Sequence, residues 1–218
     1  MENTEIIIEN IPKGTYSTKY TDLSVKRIKK IERLVRCSFE YEIFAYFLKH
    51  TLDLNRCAYY EGYSMTNSFG IELHHHPISL FDITYAIANK YLLNSGYFES
   101  MKVAEDVTYL HYNFHVGLVP LNPTAHQLFH NDQLLIHPDL VKGNWEQFII
   151  DYKEYLLPET LLKVQEAREF QKNHDPKEYP NILKRKEQIM KVPEFISLDK
   201  FNVSKMLTDV SISKLNQL

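Results

Sequence analysis

At 218 residues, with 44% apolar and 24% charged side chains, the chain can build one substantial domain or a small core with helical additions. A formal net charge of −3 excludes a uniformly basic nucleic-acid binder and leaves the local distribution of charge to decide. Six glycines are too few for a many-turned β sandwich or barrel, while fifteen tyrosines and twelve phenylalanines supply ample core. No apolar run approaches the roughly 18 to 20 residues that a bilayer span needs. Met-Glu-Asn-Thr-Glu at the start lacks the positive region and cleavage site of a secretory signal. Cys37 and Cys57 form no Cys-x-x-Cys motif, so neither a disulfide framework nor a zinc knuckle is expected. A globular, soluble protein of a cytoplasmic-type compartment follows, with no membrane partner. That compartment is the host cytoplasm if the chain is phage-encoded, and the compact, lysine-rich composition would suit a phage or mobile-element protein.

In chain order, a short strand is expected from Glu5 to Ile8, then a loop. A helical stretch runs from Asp22 to about Leu54 with a break near Ser38. Val25, Ile28, Ile31 and Val35 recur there at helical spacing and are expected to face a core. Lys26, Lys29, Lys30, Arg33 and Arg36 fall on the opposite side of the wheel, with Glu32 the only acid among them. That stripe is either a solvated outer face or a surface that tracks phosphates. Residues 56–76 look extended: Arg-Cys-Ala-Tyr-Tyr-Glu-Gly-Tyr-Ser, a turn at Met65-Thr66-Asn67, then the alternating Ser-Phe-Gly-Ile-Glu-Leu-His. Pro77 ends the pairing because it offers no N–H.

Helices follow from Phe81 to Leu93 and from Ser100 to about Tyr112, joined by Asn94-Ser95-Gly96. Gly117 to Leu121 is a short strand. Asn122-Pro123 starts a helix, since Asn caps free N–H groups and Pro is pre-set for the first helical position. That helix stops at Asn131-Asp132, and Gln133 to Ile136 is expected as a further strand. Trp145, Phe148, Ile149, Tyr152, Tyr155 and Leu156 mark an amphipathic helix ending before Pro158, with Trp145 as its core anchor. Another helix runs from Glu159 to about Lys172. A linker at residues 173–176, a basic helix from Asn181 to Lys191 and a weakly patterned tail complete the chain.

Eight of the ten histidines lie between His74 and His137. His74-His75-His76 closes the alternating segment, so His74 and His76 point one way and His75 the other. His126 and His130 stand four apart on one helix face, where both imidazoles reach a single ion. One histidine of the triplet completes such a site while a neighbour serves as general base, because imidazole is both a common metal ligand and a base near pH 7. There is no His-Glu-x-x-His, no phosphate loop of the Gly-x-x-x-x-Gly-Lys-Ser/Thr type, no Gly-x-Ser-x-Gly elbow and no deaminase Pro-Cys-x-x-Cys.

A strand ending in His-His, followed later by Gly-Leu-Val-Pro-Leu-Asn-Pro-Thr-Ala-His-Gln-Leu-Phe-His-Asn, resembles the HNH (ββα-metal, His-Me finger) endonuclease superfamily. The family often carries Asn-Leu-Val-Pro-Leu-Cys-x-x-Cys-His-x-x-x-His there, and the likeness covers roughly residues 56–137 in two pieces. It implies an α+β fold: a ββα-metal core with a helical insertion between the strands, flanked by N-terminal and C-terminal helices. It further implies one divalent metal ion (Zn, Ni, Mg or Mn) held by His74, His126 and His130. His75 would be the general base, with His76 the neighbouring catalytic candidate; aligning Pro77 with the proline that often follows the family base favours His74 instead.

Three departures accompany the likeness. The family's central Asn, nine residues before the first helix histidine, is Gly117, so His115, His111 or Asp82 would have to brace the base. The stapling Cys-x-x-Cys pairs are absent, with Asn122 and Ala125 in two of their places. About forty residues separate the two halves, where many relatives have half as many.

The implied activity is metal-dependent hydrolysis of DNA phosphodiester bonds, with DNA as partner and the stripe from Lys26 to Arg36 positioning phosphates. Three imidazoles favour a zinc- or nickel-like ion by ligand softness, while magnesium or manganese would need waters to complete the shell. The alternative is a protein that keeps the fold but not the hydrolysis, acting as a nucleic-acid- or protein-binding or structural module. Residues 1–141 are expected to hold the N-terminal helix and core. Residues 142–218 would be a helical extension suited to a protein partner.

Overall fold

The computed structural model describes residues 17–59 and 70–174. The expected strand at Glu5 to Ile8, the turn at residues 65–67, the helix from Asn181 and the tail lie outside them, as does most of the first extended segment. The elements in order are β1 (Lys19–Tyr20), α1 (Val25–Arg36), α2 (Phe39–His50), β2 (Glu72–His75), α3 (Leu80–Ser95), β3 (Phe98–Glu99), α4 (Ser100–Tyr112), β4 (Leu118–Leu121), α5 (Pro123–His130), α6 (Trp145–Tyr152) and α7 (Pro158–Asn173). Mixed helix with two small antiparallel sheets makes the class α+β. Among the described residues no helix is long and apolar enough to cross a membrane.

The long helical stretch breaks at Cys37-Ser38, where the Ser38 hydroxyl accepts from the Tyr41 N–H and starts α2. Ile28, Ile31 and Val35 of α1 are fully buried, as their spacing requires, whereas Val25 is 59% exposed. Val25 is the first residue of the helix. Ser79 and Asp82 form a capping box that starts α3, and Gly96, at φ 77°, ends it in the left-handed conformation that glycine adopts without cost. Thr160 at the start of α7 donates to Asp82 Oδ1 at 2.8 Å, tying the two helices together. Asp82 is thus committed to structure and braces no histidine.

β2 pairs antiparallel with β4, His74 opposite Val119 and His75 opposite Leu118. This two-stranded sheet separates two cores. On one side Leu118 and Leu73 join the main cluster, built from Ile28, Phe44, Ile83, Val107 and their neighbours. On the other, Val119 and Leu121 meet Cys57, Ala58, Ile71, Ala125, Ile136 and Leu140. With packing on both faces, Leu-Val-Pro-Leu is buried throughout. Ala58 N–H donates to the Pro120 carbonyl at 2.8 Å, and Leu118 exchanges two 2.8 Å hydrogen bonds with Lys142.

Two expectations need correction. Residues 133–136 form no strand: Ile136 is buried, Leu135 is exposed, and among the described residues no neighbouring strand pairs with the segment. The division at residue 141 is not a packing boundary either. Trp145, Phe148, Ile149, Leu156 and Val164 belong to the same cluster as α1, α3 and α4, so residues 145–164 complete the core rather than extend from it.

Candidate metal centre

Asn122 starts α5 by accepting the Ala125 N–H on its side-chain oxygen at 2.7 Å, and Pro123 takes the first helical position. The helix packs on β2 and β4. Spacing of four puts His126 and His130 over one another, with Nε2 atoms 3.0 Å apart and ring centroids 4.5 Å apart. Alternation along β2 brings His74 to the same place, its ring 4.8 Å from His126 and 5.3 Å from His130. One ring nitrogen from each of the three lies within 4.8 Å of the others. Around one tetrahedral ion with bonds of about 2.0–2.1 Å, such nitrogens would stand roughly 3.3 Å apart. The set therefore fits an ion after side-chain shifts totalling up to about 1.5 Å.

Two residues that pattern analysis passed over support the trio. Glu72 accepts a hydrogen bond from His126 Nδ1, which keeps a hydrogen on that nitrogen and turns Nε2 towards His130. The signal was present: Glu72, His74 and His76 alternate onto one face of the strand. Phe129 packs its ring 4.5 Å from His74 and 5.5 Å from His76, buttressing both. Burial, reinforced by the charges of His126, His76 and His130, lowers the His74 pKa to about 3. His74 is therefore neutral, the form that binds a metal.

The other members of the triplet stand differently. His76 shares the face of His74 but is not drawn into the trio. Among the described residues its Nε2 is buried without a hydrogen-bond partner, and burial holds its pKa at about 4. His75 turns to the opposite face, is 6% exposed, and meets His111 of α4 with Nε2 atoms 2.8 Å apart. Of the three side chains that might brace a base in place of the family Asn, His111 is the one in contact with His75. Gly117 leaves no room for that Asn: a Cβ there would lie 2.0 Å from the His76 carbonyl oxygen and 2.7 Å from Val141 Cγ1. The Gly117 carbonyl instead accepts the His76 N–H at 3.1 Å.

Lys26, Lys29, Lys30, Arg33 and Arg36 are all exposed on α1. Arg36, paired with Glu32 at 2.9 Å, is near enough to the histidines that its charge lowers the pKa of His74, His75 and His111.

Burial of these rings has a measurable consequence. His111 titrates at about 4 in the fold, pushed down chiefly by burial, against about 6.5 in an unfolded chain. Between those values the unfolded chain binds a proton that the native state refuses, so stability is full above pH 6.5 and declines as pH falls towards 4. His111 alone accounts for on the order of 3 kcal/mol across that window, and His74 and His76 shift in the same direction. Urea midpoints of the metal-free protein should fall steadily from pH 7 to pH 4. A flat profile would mean that these rings are not buried neutral.

A family model described as Bacteriophage G278-like virion protein matches residues 3–195. No curated protein and no solved structure matches the chain.

Proposed function

The chain belongs to the bacteriophage G278-like virion protein family, and from that premise we propose that it is a phage-borne, metal-dependent endonuclease of ββα-metal type acting on DNA. The observation that carries this proposal is the convergence of His74 from a strand with His126 and His130 from the helix packed on it. Three protein ligands leave a coordination position open, as catalytic sites do and closed structural sites do not. Three imidazole donors suit zinc or nickel better than magnesium, which prefers oxygen. A divalent ion bound there would supply positive charge to the phosphate and leaving-group oxygens.

The chain's own residues do the rest. His74 and His75 are consecutive on one strand and point to opposite faces, so the ligand and base roles fall to neighbours. His75 takes the proton of the attacking water, and Arg36 with the stripe behind it holds the DNA backbone by charge. Neutralising Lys29, Lys30 and Arg33 together is expected to weaken DNA binding and to flatten its salt dependence by up to about 3 in log–log slope. An unchanged slope would make the stripe a solvated face.

A second reading is favoured by Gly117 and by the 6% exposure of His75: a virion structural module that keeps the ion but cuts nothing. Supercoiled-plasmid nicking separates the two. The proposal expects nicking that EDTA abolishes, that Mg, Mn, Ni or Zn restores, and that His75→Ala loses while metal and DNA binding persist. Metal bound with no nicking under any ion supports the structural module, and full activity in His75→Ala moves the base to His74 or His76.

A further inference from the structure

His111 lies in the stretch between the two halves of the motif, on α4, and nothing in the motif gives it a role. It is fully buried, with Nδ1 2.7 Å from the Val107 carbonyl oxygen. A carbonyl only accepts, so His111 Nδ1 carries the hydrogen. Burial keeps the ring neutral at neutral pH, with a pKa of about 4, so His111 Nε2 carries none. That bare nitrogen is 2.8 Å from His75 Nε2, which must therefore be the donor. A neutral imidazole has one N–H, so with it spent on His111 the Nδ1 of His75 is left as a bare lone pair. The Tyr41 and Phe44 rings meet His111 edge-on, at 5.2 and 5.6 Å, and fix its plane.

We propose that His111 is a positioning residue that locks His75 in the Nε2–H tautomer and presents Nδ1 as the proton acceptor, replacing the brace that Gly117 cannot provide. The proposal rests on His75 being the base of the endonuclease. It differs from mere core packing, which would hold the ring in place whichever nitrogen carried the proton. Orientation by a hydrogen-bond acceptor on the far nitrogen is the general means of setting which imidazole nitrogen reacts.

The test combines long-range proton–nitrogen NMR of the imidazole rings with nicking kinetics, on the full chain and on the His111→Gln and His111→Phe variants. In the wild type, His75 should show a protonated Nε2 and a bare Nδ1. His111→Gln, whose amide oxygen can accept from His75 and whose NH₂ can donate to Val107, should keep that pattern and most of the rate. His111→Phe should fold and bind zinc as the wild type does, lose the tautomer preference, and lose kcat by about 10²-fold, the lower end of what a general base contributes, with KM unchanged. A wild-type His75 protonated on Nδ1 overturns the proposal whatever the kinetics, and remains decisive if the phenylalanine variant does not fold. Unchanged tautomer and kcat in His111→Phe overturn it as well. Expected tautomers with no wild-type nicking under any metal overturn the endonuclease reading, and the positioning role with it.

Discussion

The His126→Ala variant is expected to fold and to lose its bound ion. His126 is partly exposed on the outer face of a short helix, and its ring contacts are with His74 and His130 rather than with either apolar core. Its removal therefore costs little packing but deletes one of three donors. Outer-shell losses alone typically weaken a metal site by about 10–100-fold. Loss of a ligand should exceed that, leaving no zinc after dialysis while the wild type retains one equivalent. Glu72→Gln should fall between the two, because an amide accepts more weakly from Nδ1–H. Affinities from competition with a chelating dye would rank the three. Equal zinc content in His126→Ala and the wild type would remove this residue from the site.

The second large effect concerns Gly117. Motif comparison alone predicts that Gly117→Asn restores a missing catalytic brace. Packing predicts the reverse. Any Cβ at this position meets the His76 carbonyl oxygen at 2.0 Å, and backbone cannot step aside as the end of a flexible side chain can. The same crossing carries the His76 N–H to Gly117 carbonyl bond, which holds the triplet's last residue in the ladder. The substitution should cost about 3 kcal/mol or more. For a chain of this size that lowers Tm by roughly 6–12 °C. It should also lower nicking, since the strand that orders His74 to His76 would shift. An unchanged Tm would show that the two-stranded sheet can open at this point.

Much of the fold was legible because local chemistry and packing agree. The Ser38 break, the cap at Asn122-Pro123, the span of α4 and the burial of Trp145 each follow from residues within a few positions. Legibility failed where the answer depends on distant partners. Residues 133–136 carry two leucines and an isoleucine, yet among the described residues no neighbouring strand takes them up. Val25 fits the helical stripe but stands exposed. The unity of residues 145–164 with the main cluster could not be read from a change in composition.

At the site, spacing within α5 put His126 and His130 on one face, while alternation within β2 left open which of His74 to His76 joins them, and His74 was named only by the resemblance. What they could not give was what lies behind each ring. Glu72 was visible as a same-face neighbour but carried no motif. His111 reaches His75 from a helix 36 positions on, and only tertiary packing joins them. The tight crossing at Gly117 likewise turns an apparent loss of function into a backbone requirement.

X-ray absorption at the zinc edge of the stoichiometric zinc complex tests the central claim most directly. Three imidazole rings on one ion predict a first shell with three nitrogen scatterers at about 2.0–2.1 Å and the outer-shell pattern of histidine rings, reduced by one ring in the His130→Ala variant if that protein is loaded at high zinc. A shell of oxygen alone, or one identical in wild type and variant, would contradict it.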